Sequence, residues 1–136
     1  MAVVEALIQT ETDGSLSFGN HSLAEKAKKE DFEHGGDLYK VKTYAVMTKL
    51  EKNGLFAYES VPGTSVTHFT EDAEGVTFTV EGKEDAQLNI GLEDETEYQV
   101  LVDGTDIGRM STNVGGKLNI GVELSGAGEV TVQIRK

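Results

Sequence analysis

The chain has 136 residues, 24 acidic against 12 basic side chains, a formal net charge of −12, 16 Gly, one Pro and no Cys. A chain of this length can bury a core without staples, and the absence of cysteine excludes disulfides, thiolate zinc sites and thiol nucleophiles together. The charge opposes nucleic-acid phosphates and anionic lipid surfaces, and no apolar stretch approaches the roughly 18 residues of a spanning helix, so neither nucleic acid nor membrane insertion is expected.

The opening run, Met1 to Gln9, has no basic segment before it and gives way to Thr10-Glu11-Thr12-Asp13. It reads as a strand rather than a signal peptide, which makes a cytoplasmic location the default and leaves export by another route open. A strand from about Val3 to Thr10 is expected to turn at Asp13-Gly14 into Leu16 and Phe18, a hairpin signal. Ser22 to Glu33 carries capping-box spacing at Ser22 and Glu25, yet only Leu23, Ala27 and Phe32 offer an apolar side. A charged loop is the first reading there and one or two helical turns the second. Leu38 to Leu50 reads as one long extended segment, which Asn53-Gly54 turns into a strand from Leu55 to Val61. The only proline stands in Val61-Pro62-Gly63, which places a boundary between residues 1–61, a hairpin-based β region, and residues 62–136.

Period-2 alternation dominates the second segment. Val76, Phe78 and Val80 alternate with Thr77, Thr79 and Glu81; Leu88, Ile90 and Leu92 follow; Tyr98, Val100 and Val102 end at Asp103-Gly104. Ile107, Met110 and Thr112 suggest the return strand, Asn113 to Gly116 a turn, and Leu118 to Leu124 and Val130 to Ile134 two more strands. Six short strands separated by Gly and Asp predict a pair of antiparallel sheets, each with one wet face. Leu-x-(Phe or Ile)-Gly occurs at Leu16, Leu88 and Leu118, but the uneven spacing of the copies does not make a solenoid or propeller.

Three stretches, Thr48 to Gly54, Tyr58 to Thr64 and Tyr98 to Gly104, resemble those of a family of short all-β proteins from anaerobic bacteria, and the likeness runs nearly end to end. Some members are labelled endosialidase, which implies a small glycan hydrolase. Sialidases of the usual kind are propellers with Asp boxes and an arginine cluster, whereas this chain has only Arg109 and Arg135, no Ser-x-Asp-x-Gly-x-x-Trp string and no Trp. Leu92, Tyr98 to Gly104, Gly108, Thr112, Gly116 and the closing alternation are similar to immunoglobulin-like modules appended to carbohydrate-active enzymes. The resemblance implies an antiparallel immunoglobulin-like β-sandwich for residues 62–136.

Residues with chemistry are sparse. Clusters such as Glu71, Asp72, Glu74 and Glu93, Asp94, Glu95, Glu97 look like solvated turns rather than an acid and base pair for glycoside hydrolysis. His21, His34 and His68 lack metal-ligand spacing, and no Gly-x-Ser-x-Gly elbow accompanies them. Calcium is the better metal candidate, at Asp103 and Asp106, although Asp103-Gly104 is also an ordinary hairpin turn. Tyr39, Tyr44, Phe56 and Tyr58 are the nearest thing to an aromatic platform for sugar, with core packing as the competing role. Lys26, Lys28 and Lys29 form a basic island that could meet acidic loops of a second subunit. The expectation is a non-catalytic binding or assembly module without a cofactor, joined to a protein partner or to itself through exposed strand edges. Carbohydrate binding is the alternative and small glycan hydrolase the third reading.

Overall fold

A computed structural model describes residues 3–136, so the part of the opening run at residues 1 and 2 lies outside the described residues. The described chain is all-β, with thirteen strands and no helix. They are β1 (Ile8–Thr10), β2 (Leu16–Phe18), β3 (Ala27–His34), β4 (Asp37–Thr43), β5 (Thr48–Lys52), β6 (Leu55–Val61), β7 (Ser65–Asp72), β8 (Gly75–Glu81), β9 (Ala86–Gly91), β10 (Glu97–Val102), β11 (Thr105–Ser111), β12 (Lys117–Val122) and β13 (Val130–Arg135). No helix among the described residues is long and apolar enough to cross a membrane.

The strands form two antiparallel sheets. One runs β1-β2-β7-β8-β13-β10-β11 and the other β12-β9-β6-β5-β4-β3. Their inner faces share one core, as the alternation requires: Val76, Phe78 and Val80 are buried with Leu88, Ile90, Val132 and Ile134, while Thr77, Thr79 and Glu81 face outward. Phe18, Tyr58, Phe69 and Phe78 meet at its centre, with ring centroids 5.3–5.7 Å apart. Residues 1–61 contribute β1 to β6 and residues 62–136 contribute β7 to β13, and both sheets draw on both segments. β2 pairs with β7 in one sheet and β6 with β9 in the other.

Three segments differ from the expectation. Ser22 to Glu33 is neither a loop nor a helix throughout, because its second half is β3. Asn20 Oδ1 accepts the backbone N–H of Ser22 at 3.1 Å, an Asx turn that replaces the capping box. Pairing with β4 then outweighs the helix propensity of Lys and Glu. The segment Leu38 to Leu50 is two strands, split at residues 44–47. Ala45 donates to Leu23 O at 2.8 Å and accepts from Gly63 N at 3.0 Å, so contacts distant in sequence hold a turn that lacks turn-forming residues. The first strand is short, because Leu7 has φ +72° and donates to Val4 O at 2.9 Å in a preceding turn.

A chain of buried hydroxyls ties the sheets at the end opposite the Asn53-Gly54 turn. Thr43 Oγ1 accepts from Asn20 N and lies 2.8 Å from Thr48 Oγ1, which donates to Thr64 O at 2.7 Å. Thr64 Oγ1 is in turn 2.7 Å from Tyr58 Oη and 2.8 Å from Ser60 Oγ. Each of these hydroxyl-bearing residues is fully buried, and burial pushes the Tyr58 phenol well above its ordinary value.

Candidate functional site

A concavity of about 750 Å³ lies between the sheets, at the end that holds the Asn53-Gly54 turn. The β5–β6 turn supplies one wall, the turn between β7 and β8 the other, and the segments after β9 and β13 close the side. Leu55 explains why it stays open. It pairs with Lys52, whose neighbour in β4 is the buried Tyr39, so it stands on the inner face of its sheet. It is nevertheless 71% exposed, where the inner-face residues Tyr39 and Leu50 of the same sheet are buried.

Two ion pairs stand at the cleft. Lys52 Nζ reaches Glu71 Oε1 of the opposite sheet at 2.9 Å and Asp37 Oδ2 at 3.6 Å. The Glu71 hydrogen bond, more than any charge effect, raises the Lys52 ammonium above its ordinary value. Lys136 pairs with Glu93, whose hydrogen bond likewise raises it. Leu55, Ala57, Leu92 and Tyr98 line the same cleft, with the Tyr98 hydroxyl accepting from Glu93 N at 3.3 Å. Such a site suits a ligand with an apolar body and polar ends.

The four candidate aromatics do not form a platform. Tyr58 is fully buried in the core and Tyr39 is 7% exposed, its ring centroid 5.9 Å from that of His34. Tyr44 is half-buried, with Lys26 Nζ 5.8 Å from its centroid. Phe56 alone borders the cleft, and Lys117 Nζ lies 4.6 Å over its ring. Gly91 permits that approach, because a side chain there would run into the Phe56 backbone and ring. The residues missed in the sequence reading, Lys52, Leu55 and Lys136, come together only through sheet packing. No local motif marks them.

Asp103 and Asp106 act as turn acceptors. Asp103 Oδ1 takes the N–H of Thr131 at 2.8 Å, and Asp106 takes Gly108 N and Gln99 Nε2, both at 2.8 Å. The Gly108 hydrogen bond is the main reason the Asp106 carboxyl lies below the ordinary range. Among the described residues no group of three or more His, Cys, Asp or Glu side chains is arranged to hold a metal ion.

Ser, His and Asp do converge at one place. Ser15 Oγ donates to Asp13 Oδ1 at 2.5 Å and lies 3.2 Å from His68 Nδ1, itself 3.2 Å from Asp13 Oδ2. A hydrolytic triad needs the carboxylate on one ring nitrogen and the serine on the other. Here both meet Nδ1, and the serine proton is committed to the carboxylate, so the cluster braces the β1–β2 turn against β7. His21 Nδ1 is 2.7 Å from Ser65 Oγ, but both residues are buried and neither borders the inter-sheet cleft. No protein-family model, curated protein or solved structure matches the chain. The functional reading therefore rests on this geometry.

Proposed function

We propose that the chain is a non-catalytic binding module whose ligand occupies the inter-sheet cleft beside Leu55. The observation that carries the proposal is an inward-facing leucine left 71% exposed in a cleft of about 750 Å³ that two lysine–carboxylate pairs also line. An apolar side chain on the inner face of a sheet normally has a partner, and a ligand would supply it. Carbohydrate is the alternative, favoured by Phe56 at the border and by acceptor carboxylates at Glu71 and Glu93. The resemblance to immunoglobulin-like accessory modules agrees with either ligand. A glycan hydrolase of the endosialidase type is the remaining reading, and each of those two carboxylates is held by a lysine.

The experiment is a titration of the labelled protein with peptide and oligosaccharide libraries, read by NMR amide shifts, with Leu55→Asp as control. Shifts from a bound compound should cluster around residues 52–57 and 92–93 and vanish in the variant, whose melting temperature stays within about 2 °C because the side chain is exposed. Binding that maps elsewhere, or survives in Leu55→Asp, refutes the site. Release of free sugar from an oligosaccharide refutes the non-catalytic reading.

A further inference from the structure

We propose that β12 is a docking edge for a second copy of this chain, paired antiparallel to its own counterpart with Ile120 on the two-fold axis. This inference uses a different surface from the cleft and does not depend on it. Four strands end the two sheets, and three of them are blunted against edge pairing. β1 has three residues. β3 carries a bulge between Lys29 and Phe32, with Asp31 at φ +54°, and β11 lies beside a register break at Val100/Leu101, with Gly108 at φ +111°. β12 is different: its six residues pair with β9 in unbroken register, from Lys117 opposite Gly91 to Val122 opposite Ala86.

The hydrogen bonds show which backbone groups face outward. Gly116 O accepts from Leu92 N on the β9 side, whereas Lys117 N and O turn the other way, to Asn113 Oδ1 and Asn113 N. Backbone direction alternates along a strand, so Asn119 and Gly121 aim their N–H and C=O groups at the open edge. Side chains alternate as well: Leu118, Ile120 and Val122 are buried, and Lys117, Asn119 and Gly121 are exposed. An antiparallel partner must place like faces opposite one another. In the register that sets Ile120 against Ile120, Asn119 meets the second copy's Gly121 twice, which closes four backbone hydrogen bonds. Leu118 meets Val122; Lys117, whose outward backbone groups are held by Asn113, stays out of the ladder but has its side chain on the same face as the second copy's Glu123. Shifting by two residues in either direction loses the pairing of Lys117 with Glu123, so charge complementarity selects this register. Lys117 would leave the Phe56 ring to make the pair, exchanging one exposed contact for another of similar strength, so the attraction itself adds little, whereas a like-charged pair at this place, made twice in the dimer, would oppose it.

The test is sedimentation velocity at 0.15 M salt over a concentration series, since a net charge of −12 on each copy works against association at low salt. The interface is small, and half-dimerisation is expected on the order of 0.1–1 mM. Gly121→Pro removes an outward N–H that the β9 ladder does not use, and should weaken the dimer at least about tenfold. Lys117→Glu or Glu123→Lys alone should weaken it about tenfold, and the two together should restore it to within about threefold of the parent. A monomer at every concentration overturns the proposal. So does a dimer indifferent to Gly121→Pro, or one that the double charge exchange fails to restore; the exchange also serves if the proline variant does not fold.

Discussion

Replacing Thr64 by Val should destabilise the protein more than replacing Tyr58 by Phe, and adding the second change to the first should recover stability. Thr64 Oγ1 is the one hydroxyl shared by Tyr58 Oη at 2.7 Å and Ser60 Oγ at 2.8 Å, and all three residues are 0% exposed. Thr64→Val keeps the volume and removes the hydroxyl that both groups share, leaving them only their weaker contact with one another, at up to about 1–3 kcal/mol each, or roughly 2–6 kcal/mol in all. Tyr58→Phe removes the hydroxyl itself and leaves the Thr64–Ser60 bond in place, for about 0.5–1.5 kcal/mol. In the double variant the Tyr58 orphan is gone, so it should be about 1 kcal/mol or more stabler than Thr64→Val alone. Urea unfolding followed by tyrosine-independent far-UV signal measures all three, with melting shifts of about 3–4 °C per kcal/mol as a cross-check. A Thr64→Val variant within about 0.5 kcal/mol of the parent, or a double variant weaker than it, would refute the shared-hydroxyl account.

Three further outcomes follow from other parts of the fold. Burial depresses the His21 imidazole below its ordinary value, outweighing the opposing pull of Glu81, so the folded state binds its proton less readily than the unfolded chain. His21 should therefore contribute full stability above about pH 6.5 and lose it as pH falls toward 5, and a melting series of the parent against His21→Gln should show the parent falling more steeply across that window. Gly75 has φ +145°, and a side chain there would run into the Ile134 carbonyl, so Gly75→Ala should cost at least about 3 kcal/mol by denaturant unfolding. Asp103→Ala should cost about 1 kcal/mol by losing the Thr131 bond while Asp103→Asn keeps it, with calcium and chelator leaving both melting temperatures unchanged. A calcium-dependent rise that Asp103→Asn abolishes would instead make that turn a metal site.

The second segment was legible because its strands are regular and half-buried: β8, β9, β10, β12 and β13 all show the alternation of Val, Ile, Leu and Phe with polar residues. Asp13-Gly14, Asn53-Gly54 and Asp103-Gly104 were legible as turns because positive φ is needed there, and the three glycines, with Asn53 and Asp103 before two of them, supply it. β3 was not, since Ala27-Lys28-Lys29-Glu30 has no intrinsic strand character and becomes a strand only by pairing with β4. The turn at residues 44–47 was hidden for the same reason, with its bonds coming from Leu23 and Gly63. The cleft was the least visible feature. Lys52 and Glu71 are joined by the packing of two sheets, and that Leu55 faces inward follows from its register opposite Lys52, which no local pattern encodes.

The place of β13 has a consequence for how the chain is made. This strand, synthesised after all the others, lies between β8 and β10 rather than at a margin. While it is still inside the ribosome, its sheet exists as two unconnected pieces, β1-β2-β7-β8 and β10-β11, each with an unpaired edge at the seam. The larger sheet closes only when Val130 to Arg135 have emerged and paired, so a product that stops short of them exposes two sticky margins to the quality-control machinery.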